Sequence, residues 1–157
     1  MCIRDSSGAR RYALMRLSMK SHSIYELRDQ LEQKGMSAGI IEQVIEEFIK
    51  QGYLNDQEWV DAFIRGQQSR HTGPRSIQRK LRQKGISEDQ IREALLRAGL
   101  KENQGCQIKK LLTARYKSKD LNDLKQKQKV IAALIRKGFD LDEIFRSIQT
   151  AKENPGF

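Results

Sequence analysis

The residues of this sequence that are best suited to chemistry are arginines and lysines, whose side chains bind phosphate groups through charge and hydrogen bonds. On the helix expected around residues 75–84, Ile77 and Leu81 mark the buried face, and helical spacing places three arginines opposite them. Similar spacing aligns Lys110 and Lys117, seven residues apart, on one later helix, and three more cations on another. Arg70 lies in the loop before Gly73-Pro74 and extends the middle group. The candidate phosphate-facing residues are Arg70, Arg75, Arg79, Arg82, Lys110, Lys117, Lys125, Lys129 and Arg136. The alternative is that these are solvated helix faces, which is the commoner role of any single charged face.

Residues that could carry out catalysis are few. His22 and His71 are the only histidines, and neither has a neighbouring nucleophile or a metal-ligand spacing. Cys2 and Cys106 are isolated, which gives no disulfide framework and no zinc pattern and fits a reducing compartment. We therefore expect a binding protein of the cytoplasm, with no enzymatic activity, no metal and no cofactor.

The net charge of +10 over 157 residues is unevenly distributed. Residues 65–84 contain seven basic residues and no acidic residue, and residues 101–137 contain eleven basic and three acidic residues. These two segments carry +15 and the rest of the chain carries −5, which favours an anionic partner that approaches from one side. A mean hydropathy of −0.71 and the lack of a long apolar run argue against a membrane-spanning segment.

Three similar seven-residue motifs recur along the chain: LEQKGMS at 31–37, LRQKGIS at 81–87 and LIRKGFD at 134–140. We call them the Lys-Gly phrases, or glycine phrases, and their glycines (Gly35, Gly85 and Gly138) the phrase glycines. Apolar residues stand four and eight positions before each glycine, and six and ten positions after it. This spacing predicts two amphipathic helices joined by a tight turn, with the glycine in the left-handed conformation that ends a helix. Residues with short polar side chains follow two positions later and are suited to cap the next helix: Ser37, Ser87 and Asp140.

A further helix precedes each pair, and these helices are expected over residues 10–19, 56–68 and 104–117. The glycine spacing of 50 and 53 residues therefore predicts an all-α protein of three tandem three-helix repeats, which would form an elongated, curved molecule. The expected organisation is a disordered or non-native leader at 1–8, repeats at 9–52, 53–100 and 101–151, and a C-terminal tail at 152–157.

The most distinctive motif lies in the middle repeat. Gly52-Tyr53-Leu54-Asn55-Asp56 is followed by Trp59 and Phe63, and then by Gly73-Pro74-Arg75 with Lys84-Gly85. This pattern resembles the central signature of the bacterial RecX family. The segments ARRYALMRL and SHSIYELRDQLEQKG resemble the first repeat of that family, and the third repeat is matched mainly through its periodicity and Lys137-Gly138-Phe139.

The resemblance implies a regulatory protein that binds RecA and the RecA–DNA filament, and that mainly inhibits its ATPase, its recombinase activity and filament growth. Such a protein would act in DNA repair, recombination and the SOS response. Its partners would be RecA and the RecA–single-stranded-DNA filament, with weak direct DNA binding, and the protein would be a monomer.

Two alternatives remain open. The basic faces could hold DNA or RNA directly, as a helical module that acts without RecA. A weaker alternative is an interaction scaffold with no role in nucleic-acid binding.

Overall fold

The structure is a computed structural model that describes residues 5–154. Within these residues it contains nine α-helices and no β-strand, which confirms the all-α fold. The first triplet is α1 (Ser6–Met19), α2 (Ile24–Gln33) and α3 (Ala38–Lys50). The second is α4 (Asp56–Ser69), α5 (Pro74–Gln83) and α6 (Glu88–Arg97), and the third is α7 (Gln104–Thr113), α8 (Leu124–Arg136) and α9 (Leu141–Glu153). We call these triplets repeats 1, 2 and 3.

Each repeat has its own hydrophobic core. The leucines four positions before the phrase glycines, Leu31, Leu81 and Leu134, are completely buried and each belongs to a different apolar cluster. The extensive contacts between helices all lie within a repeat. Such packing is typical of repeat proteins, in which each unit buries its own apolar face and touches mainly its neighbours.

The turn between the second and third helix has the same backbone conformation in every repeat. Gly35, Gly85 and Gly138 have φ angles of +77°, +76° and +94°, as expected for a glycine that ends a helix. Ser37 and Ser87 cap α3 and α6 as predicted, since each side chain accepts a hydrogen bond from a backbone N–H of the following turn. Asp140 occupies the same position before α9, but its side chain makes no capping hydrogen bond.

Helix α1 begins four residues earlier than the helix expected over residues 10–19. Asp5 caps it by accepting a hydrogen bond from the Gly8 backbone N–H at 2.6 Å, so residues 6–8 of the expected leader form its first turn. At the other end α9 continues to Glu153, into the expected tail. Residues 1–4 and 155–157, which include the rest of that leader and tail, lie outside the described residues.

Helix α7 is shorter than the helix expected over residues 104–117. It ends at Thr113, because the backbone of Ala114 departs from helical geometry at φ −104° and ψ −76°. The Tyr116 N–H then donates to the carbonyl of Leu111, five residues earlier, which is the kind of hydrogen bond that closes a helix end. The segment that follows forms turns up to the start of α8.

Neighbouring repeats are joined in the same way twice. At the first junction, Ser23 at the start of α2 donates to the carbonyl of Lys84 at 3.3 Å, and Glu26 forms an ion pair with the Lys84 ammonium. At the second, the Gly73 N–H at the start of α5 donates to the carbonyl of Lys137 at 2.7 Å. The Lys-Gly turns of repeats 2 and 3 therefore each contact the start of the second helix of the preceding repeat.

Candidate phosphate-binding surface

All nine candidate residues are exposed to solvent. On α5, Ile77 and Leu81 are completely buried, and the arginines predicted to lie opposite them point outward. On α8, Val130 and Leu134 are buried in the same way. The exposed candidates are Arg70, Arg75, Arg79, Arg82, Lys110, Lys117, Lys125, Lys129 and Arg136. The outward orientation of those on α5, α7 and α8 agrees with the helical periodicity, and phosphate binding by all nine stays a prediction.

Two of the nine are held in ion pairs by acids from outside their own helix. Arg75 Nε lies 2.7 Å from Asp140 Oδ1 of repeat 3, and Arg82 forms an ion pair with Glu88 across the α5–α6 turn. A hydrogen bond from Gln104 lowers the pKa of Asp140, and the hydrogen bond and charge of Arg75 lower it further. The segment 65–84 contains no acid, but the fold supplies one to each of these two arginines.

The other seven candidates form no ion pair with any residue from 5 to 154. They are Arg70, Arg79, Lys110, Lys117, Lys125, Lys129 and Arg136. Cations without a protein partner can neutralise an external anion with no internal bond to break, so these seven are the stronger candidates.

Lys117 does not share a helix face with Lys110, which corrects the expectation from their spacing of seven residues. Lys110 lies on α7, opposite the buried side chains of Ile108 and Leu111. Lys117 lies in the turns after the helix has ended at Thr113. Helical periodicity therefore does not align these two lysines.

The structure brings together three cations that the sequence did not group. Burial lowers the pKa of the Lys137 ammonium, and the positive charges of Arg115 and Lys80 lower it further. Lys80 lies on α5, Arg115 follows α7 and Lys137 ends α8, so repeats 2 and 3 both contribute. The recurring Lys-Gly phrase was the only sequence signal for this group, because its assembly depends on the junction between repeats.

The connection between α4 and α5 ties this region to α7. His71 Nδ1 lies 2.5 Å from the side-chain oxygen of Gln107, and Lys80 Nζ donates to the side-chain oxygen of Gln67 at 2.9 Å. Arg70 precedes His71 in this connection and is exposed. At the junction between repeats 2 and 3, several basic side chains therefore lie on elements that side-chain hydrogen bonds hold together.

The fold and this surface define a class of protein: a helical-repeat protein with a basic surface on its second and third repeats. In the part of the chain that the structure describes, no group of three or more His, Cys, Asp or Glu side chains is arranged to hold a metal ion. None of the helices described is both long enough and apolar enough to cross a bilayer.

The chain belongs to the RecX family. Family models for the first, second and third three-helix domains of RecX match residues 9–48, 55–95 and 107–148 in order. This agrees with the resemblance seen in the middle repeat, and it extends to the third repeat, where the motif was weakest.

Several relatives are named regulatory protein RecX. The chain is 30% identical to the protein of Legionella pneumophila over 142 residues, covering 90% of this chain and 93% of that one. It is 35% identical to the protein of Bacillus subtilis over 133 residues, covering 84% of this chain and 50% of that one. The chain thus spans about half the length of the Bacillus subtilis relative. These relatives support a regulatory role.

Solved structures support the fold. A crystal structure of regulatory protein RecX matches with a TM-score of 0.75 at 26% identity, covering 92% of this chain and 71% of that chain. The crystal structure of RecX from Lactobacillus salivarius matches with a TM-score of 0.81 at 24% identity, covering 96% and 99%. The three-repeat architecture is therefore that of known RecX structures.

Proposed function

We propose that this protein binds RecA and the RecA–DNA filament, and that it mainly inhibits the ATPase activity, recombinase activity and growth of the filament. The observation that carries the proposal is the run of three consecutive RecX repeats, of which the second and third bear the exposed, unpaired cations. The protein would act as a cytoplasmic monomer in DNA repair, recombination and the SOS response, without a cofactor or a reaction of its own.

The basic surface of repeats 2 and 3 would supply the electrostatic part of binding. Each phosphate that a cation neutralises releases condensed counterions, which drives association and makes it depend steeply on salt. The cations at the junction, Lys80 and Lys137, stand close enough for their charges to interact, and they concentrate positive potential there. The acid-rich remainder of the chain would contact protein, because it carries the opposite net charge.

A second candidate function is direct binding of DNA or RNA without RecA. The observation that favours it is that seven exposed cations have no ion-pair partner within residues 5–154. Both functions predict salt-dependent binding to bare DNA, so that measurement alone does not separate them.

The discriminating experiment measures the single-stranded-DNA-dependent ATPase of RecA with this protein added at substoichiometric ratios. A regulator of the filament lowers ATP hydrolysis at ratios too low to cover the DNA. Unchanged hydrolysis at those ratios, together with tight binding to DNA alone, would favour the direct nucleic-acid-binding function and contradict the regulator.

A matched pair of variants tests the contribution of the basic surface. Arg79→Glu reverses an exposed, unpaired charge on α5. Arg92→Glu makes the same change in net charge on α6, where Arg92 pairs with Asp89 at 2.7 Å and lies outside the candidate set. We expect Arg79→Glu to weaken inhibition more than Arg92→Glu does. Equal effects would show that net charge alone matters and that α5 has no special role.

A further inference from the structure

Repeat 3 carries an exposed apolar patch on the outer side of its second and third helices. Ile135, Leu141 and Phe145 are 49%, 44% and 47% exposed, and Ile131 beside them is half-buried. We call these four residues the repeat 3 apolar patch. Leu124 lies seven residues before Ile131 on α8, in line with the patch, and is 66% exposed.

At each of the two pairs of positions, one of the other repeats has an ion pair. Seven residues before and after the phrase glycine, repeat 1 has Arg28 and Glu42, whose side chains join α2 to α3 at 2.9 Å. The equivalent residues in repeat 3 are Ile131 and Phe145.

Three residues before and after the glycine, repeat 2 has the ion pair of Arg82 and Glu88. The equivalent residues in repeat 3 are Ile135 and Leu141. Repeat 3 therefore has apolar pairs at both sets of positions, where repeat 1 and repeat 2 each have one solvent-facing ion pair. Clustered apolar side chains at the surface are typical of a binding site, whereas scattered single ones need no explanation.

The stacking of repeats does not account for the patch. Both junctions join a Lys-Gly turn to the start of a second helix, at Ser23 in one case and at Gly73 in the other. Counted back from Gly138, the equivalent position in repeat 3 is Gln126, near the start of α8. A further repeat that stacked in the same way would contact that end of α8 and leave the patch uncovered.

The α8 side of the patch is strongly basic, since residues 124–137 contain five basic residues and no acidic residue. The α9 side is mixed, because Asp142 and Glu143 lie between Leu141 and Phe145 in the sequence. On α8 itself, Lys125, Lys129 and Arg136 are exposed and form no ion pair among the described residues. Helical geometry places these three cations roughly 120° around α8 from the line of Leu124, Ile131 and Ile135, on the side away from the buried Val130 and Leu134.

We propose that the repeat 3 apolar patch binds an amphipathic α-helical segment of a partner protein, with apolar side chains one turn apart and carboxylates alongside them. The apolar side chains of such a helix lie against two packed helices, and its carboxylates meet the basic residues of α8. A second copy of repeat 3 and an anionic lipid surface are the other candidate occupants, and the sedimentation and vesicle measurements below test them. The four apolar residues are separate from the candidate phosphate-binding residues, whereas the flanking Lys125, Lys129 and Arg136 belong to both sets. The proposal does not depend on RecA.

The test uses a labelled synthetic peptide that forms an amphipathic helix, with leucines at i, i+4 and i+7 and glutamates beside them. A scrambled peptide of the same composition is the comparison, and binding to the full chain is followed by fluorescence anisotropy. The double variant Ile135→Arg/Leu141→Glu transplants the ion pair of repeat 2 into repeat 3. A second double variant, Ile131→Arg/Phe145→Glu, introduces the ion pair of repeat 1 at the equivalent positions. The proposal can therefore still be tested if one of the two double variants does not fold. Leu96→Glu on α6, where the leucine is 66% exposed, is the control for loss of an exposed leucine.

We expect the amphipathic peptide to bind more tightly than the scrambled one, and each double variant to lose about tenfold or more in affinity while Leu96→Glu binds normally. Equal binding of the two peptides, or unchanged binding by a folded double variant, would overturn the proposal. It would also be overturned if the double variants abolished a dimer of the wild-type chain in sedimentation, or its binding to vesicles of anionic phospholipid, without affecting the peptide. The peptide-binding assay contains neither RecA nor nucleic acid, so its result does not depend on whether the proposed function is correct.

Discussion

Gly138 lies against Ser76 so closely that a β-carbon at residue 138 would come within 2.7 Å of both the Ser76 Oγ and Cβ atoms. The backbone is tied at the same point, because the Arg75 N–H donates to the Gly138 carbonyl at 3.0 Å. Gly138 also has a φ of +94°, a conformation that side chains disfavour. Gly138 therefore ends α8 and also packs directly against the start of α5 in the neighbouring repeat.

Gly138→Ala should destabilise the protein more than Gly35→Ala. Both residues have positive φ, and an alanine there costs roughly 1–2 kcal/mol. A β-carbon at Gly35 meets no atom within 4 Å, whereas at Gly138 it meets Ser76, which adds roughly 1–3 kcal/mol of overpacking. Denaturant unfolding followed by circular dichroism measures both variants. Equal losses would mean that the junction between repeats 2 and 3 is looser than the structure shows.

Arg75→Glu and Arg79→Glu should differ in their effect on stability. The Arg75 variant places a carboxylate beside Asp140, and the lost pair and new repulsion cost about 1 kcal/mol, since the arginine is largely exposed. The Arg79 variant breaks no ion pair and should change the unfolding free energy by less than about 0.5 kcal/mol. Urea titrations of the two variants provide the comparison. A large loss of stability in Arg79→Glu would show that its side chain has a structural role.

The salt dependence of DNA binding should also respond to Arg79. If this side chain neutralises one phosphate, Arg79→Glu lowers the slope of log K against log salt by about one. Arg92→Glu should leave the slope unchanged, because Arg92 already pairs with Asp89. Binding to single-stranded DNA at several salt concentrations gives these slopes. A reduced affinity with an unchanged slope would argue against a direct phosphate contact.

Asp56→Asn should stabilise the protein at neutral pH. The carboxylate of Asp56 accepts the Ile24 N–H at 2.8 Å, but burial raises the pKa of Asp56 above its ordinary 3.8. The folded state therefore holds this proton more tightly than the unfolded state, and stability falls as the pH rises through the raised pKa. Asparagine keeps an acceptor oxygen and removes the charge. Its advantage in unfolding free energy should shrink as the pH falls towards and below 3.8, and a difference that does not change with pH would contradict this account.

Leu81→Ala should cost about 2–5 kcal/mol, as expected for a large-to-small change at a completely buried site. Leu81 belongs to the core of repeat 2, so its removal leaves a cavity between helices. Exposed Leu96, in the same repeat, is the natural control, and its replacement by alanine should have little effect. Denaturant melts of both variants test this, and a neutral Leu81→Ala would show that the cavity collapses.

Much of the fold was predictable because its determinants are local. The glycine phrases and the apolar residues spaced around them placed Leu31, Leu81 and Leu134 in three cores, and all three are completely buried. The end of α7 was not predictable from the same periodicity. The apolar pattern continues past Thr113, but a hydrogen bond from Tyr116 to Leu111 closes the helix there.

Local sequence patterns are enough to predict three helical repeats and the outward direction of the candidate cations on α5, α7 and α8, since side-chain direction on a helix follows from position along a few turns. Which cations are already neutralised depends on contacts made in the folded chain. Arg75 and Asp140 are separated by 65 residues and meet because one repeat docks on the next. The same docking brings Lys80 near Lys137. Charge pairing acts through space, so the pairing of Arg75 with Asp140 depends on the relative placement of repeats, which no local pattern encodes.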